Sequence, residues 1–138
     1  MRFWDSSALT PLLVDEVDSA LRERQMQEDS VVLVWYGTPA EIESALNRRK
    51  REGSLLGEDA VAARNRFEQL AETWIEVQAT TTVRERALRL LRIHPLRAAD
   101  AFQLAAALIA CGEHTRGFSF LTGDGRLREA AAAEGFFV

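Results

Sequence analysis

Val31-Val32-Leu33-Val34-Trp35 is an unbroken run of β-branched and large apolar residues. Such a run predicts a strand buried on both faces, as in a parallel sheet with helices above and below it. Gly37-Thr38-Pro39 ends the strand and opens a helix. Thr38 is a natural N-cap, Pro39 suits the first helical position, and Glu41 completes a capping-box pattern.

The same strand-then-helix unit recurs on both sides of this run. Upstream, Arg2-Phe3-Trp4 reads as a short strand, and Asp5-Ser6-Ser7 follows with either serine as a cap. A helical pattern runs from Ala8 to Gln27, with an interruption near Pro11 and Val14. Downstream, helices are expected from Thr38 to Glu52, with Gly53 as the stop, and from Gly57 to Glu72. Trp74 to Val77 reads as a strand and Thr82 to Ile93 as a helix ended by Pro95. An Ala-rich helix from Leu96 to Ala110 stops at Gly112. Phe118 to Leu121 is a further strand, Gly125 to Glu134 a last helix, and Phe136 to Val138 a terminal strand. This alternation predicts an α/β fold with right-handed crossovers and a mainly parallel sheet of about five short strands. The chain of 138 residues suits a single domain over 1–138.

The composition, 47% apolar and 28% charged, is that of an ordinary soluble globular protein. Its net charge of −4 is not that of a general nucleic-acid binder. Either the partner is no polyanion, or the acids are gathered where a cation sits and the bases lie elsewhere. The basic side chains are arginines apart from Lys50, and arginine forks phosphate bidentately. Cys111 is the only cysteine, so no intramolecular disulfide is available. Arg2 stands where a signal peptide needs an apolar run, and Ala101 to Cys111 is far short of a membrane span. A cytoplasmic protein with no membrane contact is expected.

In parallel α/β sheets, ligands bind beyond the carboxyl ends of the strands, near the switch point. Asp5 directly follows the first strand, and Asp124 follows the fourth after Thr122-Gly123. Glu41 opens the helix after the second strand, and Asp100 lies about one turn inside the Leu96 helix. Each acid alone has an ordinary structural role. Asp5 is a helix cap, Asp124 a turn residue in Gly-Asp-Gly, Glu41 half of a capping box, and Asp100 a partner for Arg97. Together they are harder to dismiss. Asp100 shares a helix face with Leu96, Leu104 and Ala107, where an unpaired carboxylate is costly. Several acids meeting in one place repel one another, and a divalent cation removes that penalty. Oxygen-only ligands favour Mg²⁺ or Mn²⁺ over Zn²⁺, and His94, His114 and Cys111 form no zinc pattern. Both histidines are expected near the surface.

These stretches resemble the PIN-domain family, and within it the VapC-like toxins, along nearly the whole chain. Phe-Trp-Asp-Ser-Ser-Ala-Leu is similar to the first acidic motif of that family. Trp-Tyr-Gly-Thr-Pro-Ala-Glu-Ile-Glu-Ser-Ala-Leu-Asn-Arg-Arg resembles the second. Leu-Arg-Ala-Ala-Asp-Ala-Phe-Gln-Leu-Ala-Ala-Ala, the most specific stretch, resembles the third, and Phe-Leu-Thr-Gly-Asp-Gly-Arg-Leu the fourth. The resemblance implies a PIN-like three-layer α/β/α sandwich. It implies catalysis and metal ligation by Asp5, Glu41, Asp100 and Asp124, with Thr122 and Ser6 in support. Glu43 competes for the second position, but Glu41 has the family's Glu-x-x-x-Ala-Leu spacing to Ala45-Leu46. Some members carry a further acid after the fourth motif, where this chain has Arg126 and Arg128, so one metal and two both stay open.

The activity so implied is Mg²⁺- or Mn²⁺-dependent endonucleolytic cleavage of RNA (tRNA, rRNA or mRNA), leaving 5′-phosphate and 3′-hydroxyl ends. The implied partners are a VapB-like antitoxin and a second copy in a homodimer. The helices between Ala8 and Gln27 and between Gly57 and Glu72 would supply the apolar surfaces. Arg97, beside Asp100, is the candidate for touching substrate phosphate, whereas Arg48-Arg49-Lys50-Arg51 reads as a solvated helix end. A catalytically inactive PIN-like binding module is the alternative. A receiver-like or dehalogenase-like phosphoryl-transfer domain fits poorly, because neither an Asp-x-Asp after the first strand nor a lysine beyond Lys50 is present.

Overall fold

The computed structural model describes residues 1–138. The elements in order are β1 (Arg2–Trp4), α1 (Ser6–Leu13), α2 (Ser19–Glu28), β2 (Val32–Trp35), α3 (Thr38–Arg51), α4 (Gly57–Ala71), β3 (Ile75–Val77), α5 (Thr81–Ile93), α6 (Ala98–Ala110), β4 (Ser119–Leu121) and α7 (Gly125–Ala133). The four strands form one sheet in the order β3-β2-β1-β4. Every pairing is parallel, with Phe3 beside both Leu33 and Phe120.

Side chains alternate across the strands and build a core on each face. Phe3, Leu33, Trp35 and Phe120 point to one face and pack with α5, α6, α7 and Phe136. Trp4, Val32, Val34 and Leu121 point to the other and pack with α1, α3 and α4. The result is an α/β/α sandwich. All four residues of β2 are buried, as its unbroken apolar run requires, whereas β3 lies at the edge and exposes Ile75. The Phe3 and Phe120 rings stack at 5.3 Å across the β1–β4 pair, and Trp35 stacks on Phe102 of α6 at the same spacing.

Two expectations need correction. The terminal Phe136–Val138 segment does not form a fifth strand. It makes one parallel bridge between Phe137 and Ser119, because only Phe137 turns its backbone to β4 while Phe136 packs its ring near Phe120. The interruption expected in the Ala8–Gln27 pattern falls at Val14 and leaves two helices. α1 runs through Pro11 and stops at Leu13, and the Ser19 hydroxyl secures the break by donating to the Pro11 carbonyl and accepting from the Glu16 N–H. His94 is half-buried and hydrogen-bonded to Glu134 at 2.7 Å, while His114 is exposed.

α6 packs on both β2 and α5. Ala101, Ala105, Ala106 and Ala107 are buried in that contact, and their small size permits the close approach. Ala105→Leu is therefore expected to destabilise the protein by about 1–3 kcal/mol through overpacking. Urea unfolding would detect this as a lower midpoint at unchanged slope, and an unchanged midpoint would mean α6 has room to spare.

Candidate active site

The parallel pairing of β1 with β4 brings the ends of the first and fourth strands side by side. With strand order β3-β2-β1-β4, this is the switch point, where one crossover turns left and the next turns right. A cleft of about 1050 Å³ opens there. Glu41, Asp100 and Asp124 line it together with Ser6 and Ser7, and Asp5 is buried against those two serines, outside the lining itself.

All four acids occupy the start of a helix. Asp5 is the N-cap of α1 and Asp124 the N-cap of α7. Glu41 is in the first turn of α3 and Asp100 in the first turn of α6. Four positive helix ends therefore face the carboxylates and reduce their mutual repulsion.

Asp5 is 3% exposed. Its Oδ2 accepts from the Thr122 hydroxyl at 2.9 Å, from the Ser7 N–H at 3.3 Å and from the Ser7 hydroxyl. Its Oδ1 has a long 3.4 Å contact with the Ser6 hydroxyl. Glu41 repeats the pattern. Its Oε2 accepts from Ser6 Oγ at 2.6 Å and from Gln103 Nε2 at 3.1 Å, and its Oε1 has no donor. Asp124 Oδ1 accepts from the Leu127 N–H at 2.8 Å, and Oδ2 has no donor. Glu41 and Asp124 are thus each anchored through one oxygen and leave the other free, while buried Asp5 is anchored chiefly through Oδ2.

Burial is the largest influence on three of the acids. It raises Asp5 above the usual carboxylate range, against the hydrogen bonds from Ser7 and Thr122. It raises Glu41, opposed by Ser6 and Gln103 and assisted by the charges of Asp5 and Asp100. It raises Asp100, assisted by Asp124 and Asp5 and weakly opposed by Arg97. The charges of Asp5 and Asp100 thus reach Glu41, and those of Asp124 and Asp5 reach Asp100. No three His, Cys, Asp or Glu side chains meet closely enough to enclose an ion by themselves. Mg²⁺ does not need such a cage, because it keeps several waters and takes one or two carboxylates plus substrate phosphate. Hard, singly presented oxygens around an open cleft fit a hydrated Mg²⁺ or Mn²⁺ and do not fit a closed zinc site.

Two structural roles read from the sequence are not realised. Glu41 completes no capping box: Gly37 is the N-cap of α3 without a side-chain bond, and Thr38 is buried one position inside the helix. Asp100 makes no ion pair with Arg97. Glu43 lies apart from the cleft lining and pairs with Arg64 at 2.6 Å.

Sequence reasoning missed several polar groups here. Ser7 bridges two elements, donating to Asp5 and accepting from the Gly123 N–H at 2.8 Å. A Cβ at Gly123 would stand in van der Waals contact with Ser7, 3.4 Å from its carbonyl oxygen, so the β4–α7 turn packs directly on the start of α1. Arg22 is buried without a carboxylate in ion-pair range, and its Nε has no partner. Arg22 and Arg128 both donate to the Thr122 carbonyl, at 2.8 and 2.9 Å. They hold from behind the same residue whose hydroxyl holds Asp5. Nothing in the spacing of Arg22 within the mostly polar α2 announces this role.

The PIN domain family profile matches residues 2–133. Ribonuclease VapC45 of Mycobacterium tuberculosis (strain CDC 1551 / Oshkosh) is 32% identical over 133 residues, covering 96% of this chain and 90% of the relative. Ribonuclease VapC49 of Mycobacterium tuberculosis (strain ATCC 25618 / H37Rv) is similar to the same extent.

The raised Asp5 carboxyl makes stability depend on pH in a definite direction. An acid whose pKa rises on folding stabilises the fold only while protonated. Its contribution is complete below the unfolded value of about 3.9 and is lost as pH climbs through the higher folded value. Asp5→Asn keeps an oxygen for the Ser7 and Thr122 donors and removes the buried charge. In chelator, this variant is expected to be more stable than the unsubstituted protein at pH 7, with the difference closing towards pH 3. Equal denaturant midpoints at both pH values would mean that the hydrogen bonds fully offset burial.

Proposed function

Because the chain belongs to the PIN-domain family, we propose that it is a divalent-metal-dependent endoribonuclease of the VapC type, the toxin half of a toxin–antitoxin pair. The observation that carries this reading is four acids at four helix starts around one cleft: Glu41, Asp100 and Asp124 line it, Asp5 is buried next to Ser6 and Ser7, and Glu41 and Asp124 each keep one oxygen without a donor. Asp5, Asp100 and Asp124 form the ligand core for Mg²⁺ or Mn²⁺, and Glu41 completes it or orients the attacking water. When bound, the cation lowers the pKa of a water and polarises the phosphodiester. Thr122, Ser7 and Ser6 hold the acids in place. The products are a 5′-phosphate and a 3′-hydroxyl.

An RNA substrate for an acidic protein is supported by the distribution of arginine. Arg48, Arg49, Arg97 and Arg126 line the same cleft as the acids. Arg49 is paired with Glu16, but Arg48, Arg97 and Arg126 make no ion pair. Glu41, Ser44, Ala45 and Arg48 all line the cleft from α3 and share one helix face, so Arg48 belongs to the cleft rather than to a merely solvated helix end. Phosphates on either side of the scissile one would meet these guanidinium groups.

The VapB-like antitoxin and a second copy of the chain are the proposed partners. Exposed Val17, Leu21, Leu56 and Val61 on and beside α2 and α4 support an apolar contact surface there. No helix is long and apolar enough to cross a membrane, which is compatible with action in the cytoplasm.

Purified protein incubated with total cellular RNA is expected to give discrete cleavage with Mn²⁺ or Mg²⁺ and none with chelator. Asparagine at Asp5, Asp100 or Asp124 should abolish cleavage without unfolding the protein, and retained cleavage in all three variants would refute the assignment. With an uncleavable RNA, Arg48→Gln, Arg97→Gln and Arg126→Gln should each lower the slope of log affinity against log salt by about 1. An unchanged slope in all three would remove them from the RNA path.

A further inference from the structure

Gln103 lies one turn beyond Asp100 on α6 and has no exposed surface. Leucine and alanine surround it in sequence from Leu104 to Leu108. Its Nε2 donates to Glu41 Oε2 at 3.1 Å and to Thr38 Oγ1 at 3.2 Å. Its Oε1 is buried and has no partner. A buried, unpaired carbonyl oxygen is destabilising, and an apolar side chain of similar length would avoid it. Turning the amide over would not help, because its carbonyl would then face an anionic carboxylate. The packing tolerates an orphaned oxygen in order to place an N–H against Glu41.

Thr38 and Glu41 are three residues apart on α3, so the Gln103 amide grips that helix at two points one turn apart. Ser6 of α1 donates to the same Glu41 oxygen. Three helices thus meet at Oε2, and Oε1 remains without a donor. A glutamate side chain is long and loses considerable rotamer freedom when fixed. Two donors on one oxygen supply that restraint before any ligand arrives.

We propose that Gln103 is a positioning residue for Glu41, fixing one carboxylate oxygen so that the other is held ready for a divalent cation or its water. This rests on the reading of Glu41 as part of the metal site. Outer partners of this kind commonly govern metal affinity and activity without touching the metal.

The test uses Gln103→Met and Gln103→Leu, which are apolar and of similar volume. Mn²⁺ binding by calorimetry, thermal unfolding in chelator and RNA cleavage kinetics would be measured, with Asp100→Asn and Glu41→Gln alongside. The expected result is unchanged or raised thermal stability, with Mn²⁺ affinity and kcat each down by about 10- to 100-fold. KM for RNA should stay unchanged. In the Glu41→Gln background, Gln103→Met should cause no further loss, because its target is already gone. If both Gln103 variants keep wild-type Mn²⁺ affinity and kcat while Asp100→Asn loses them, the positioning role is wrong and the metal site stands. If Asp100→Asn also binds Mn²⁺ like the wild type, both are overturned.

Discussion

Four like charges gathered at one end of a parallel sheet are the constraint around which the rest of the molecule is arranged. A parallel sheet places its strand ends, and the helix starts that follow them, on one edge. Asp5, Glu41, Asp100 and Asp124 occupy those starts on α1, α3, α6 and α7. Burial raises the carboxyl groups of Asp5, Glu41 and Asp100, and for Glu41 and Asp100 the neighbouring acids add to it. The protein answers with fixed dipoles and donors rather than with neutralising ion pairs. Helix ends, the Ser6, Ser7 and Thr122 hydroxyls and the Gln103 amide all point positive ends at carboxylate oxygens. Because each donor set converges on one oxygen, the negative charge is steadied without being closed off.

The buried guanidinium of Arg22 belongs to the same arrangement. Burial lowers its pKa, and the fields of Asp18 and Asp5 partly oppose that effect. With Arg128 it grips the Thr122 carbonyl, while the next N–H in the chain, that of Gly123, donates to Ser7. Ser7 in turn donates to Asp5. Two positive groups at one end of a short hydrogen-bonded path and a carboxylate at the other polarise the path in one sense, which strengthens each bond in it. The β4–α7 turn that carries Thr122 and Asp124 is thereby fixed from behind the cleft.

The fold was legible because its signals are local and strong. Val31 to Trp35 could hardly be anything but a central strand, and strand-then-helix alternation left few topologies. The acids after strands were legible once a parallel sheet was granted, since β1 and β4 had only to be neighbours. Other features were hidden for physical reasons. Thr38 and Glu41 have the spacing of a capping box, yet Ser6 and Gln103, far away in sequence, compete for Glu41 and win. Gln103 looks like a blemish in an apolar helix, because its hydrogen bonds span 62 and 65 residues. Arg22 sits in a polar helix whose sequence does not mark it for burial. The chain-end Phe136-Phe137-Val138 has strand composition but offers only Phe137 to its neighbour.

The acids act through where a cation would sit and which oxygens would meet it. A crystal structure obtained in Mn²⁺, with anomalous diffraction used to locate the ion, examines that most directly. The predicted result is an ion in the cleft at the β1–β4 switch point, contacted directly or through water by Asp5 Oδ1, Asp124 Oδ2 and the carboxylates of Asp100 and Glu41. The oxygens already taken by Ser7, Thr122, Leu127 and Gln103 should keep their hydrogen bonds. A cleft without an ion at saturating Mn²⁺, or an ion held by other residues, would contradict it.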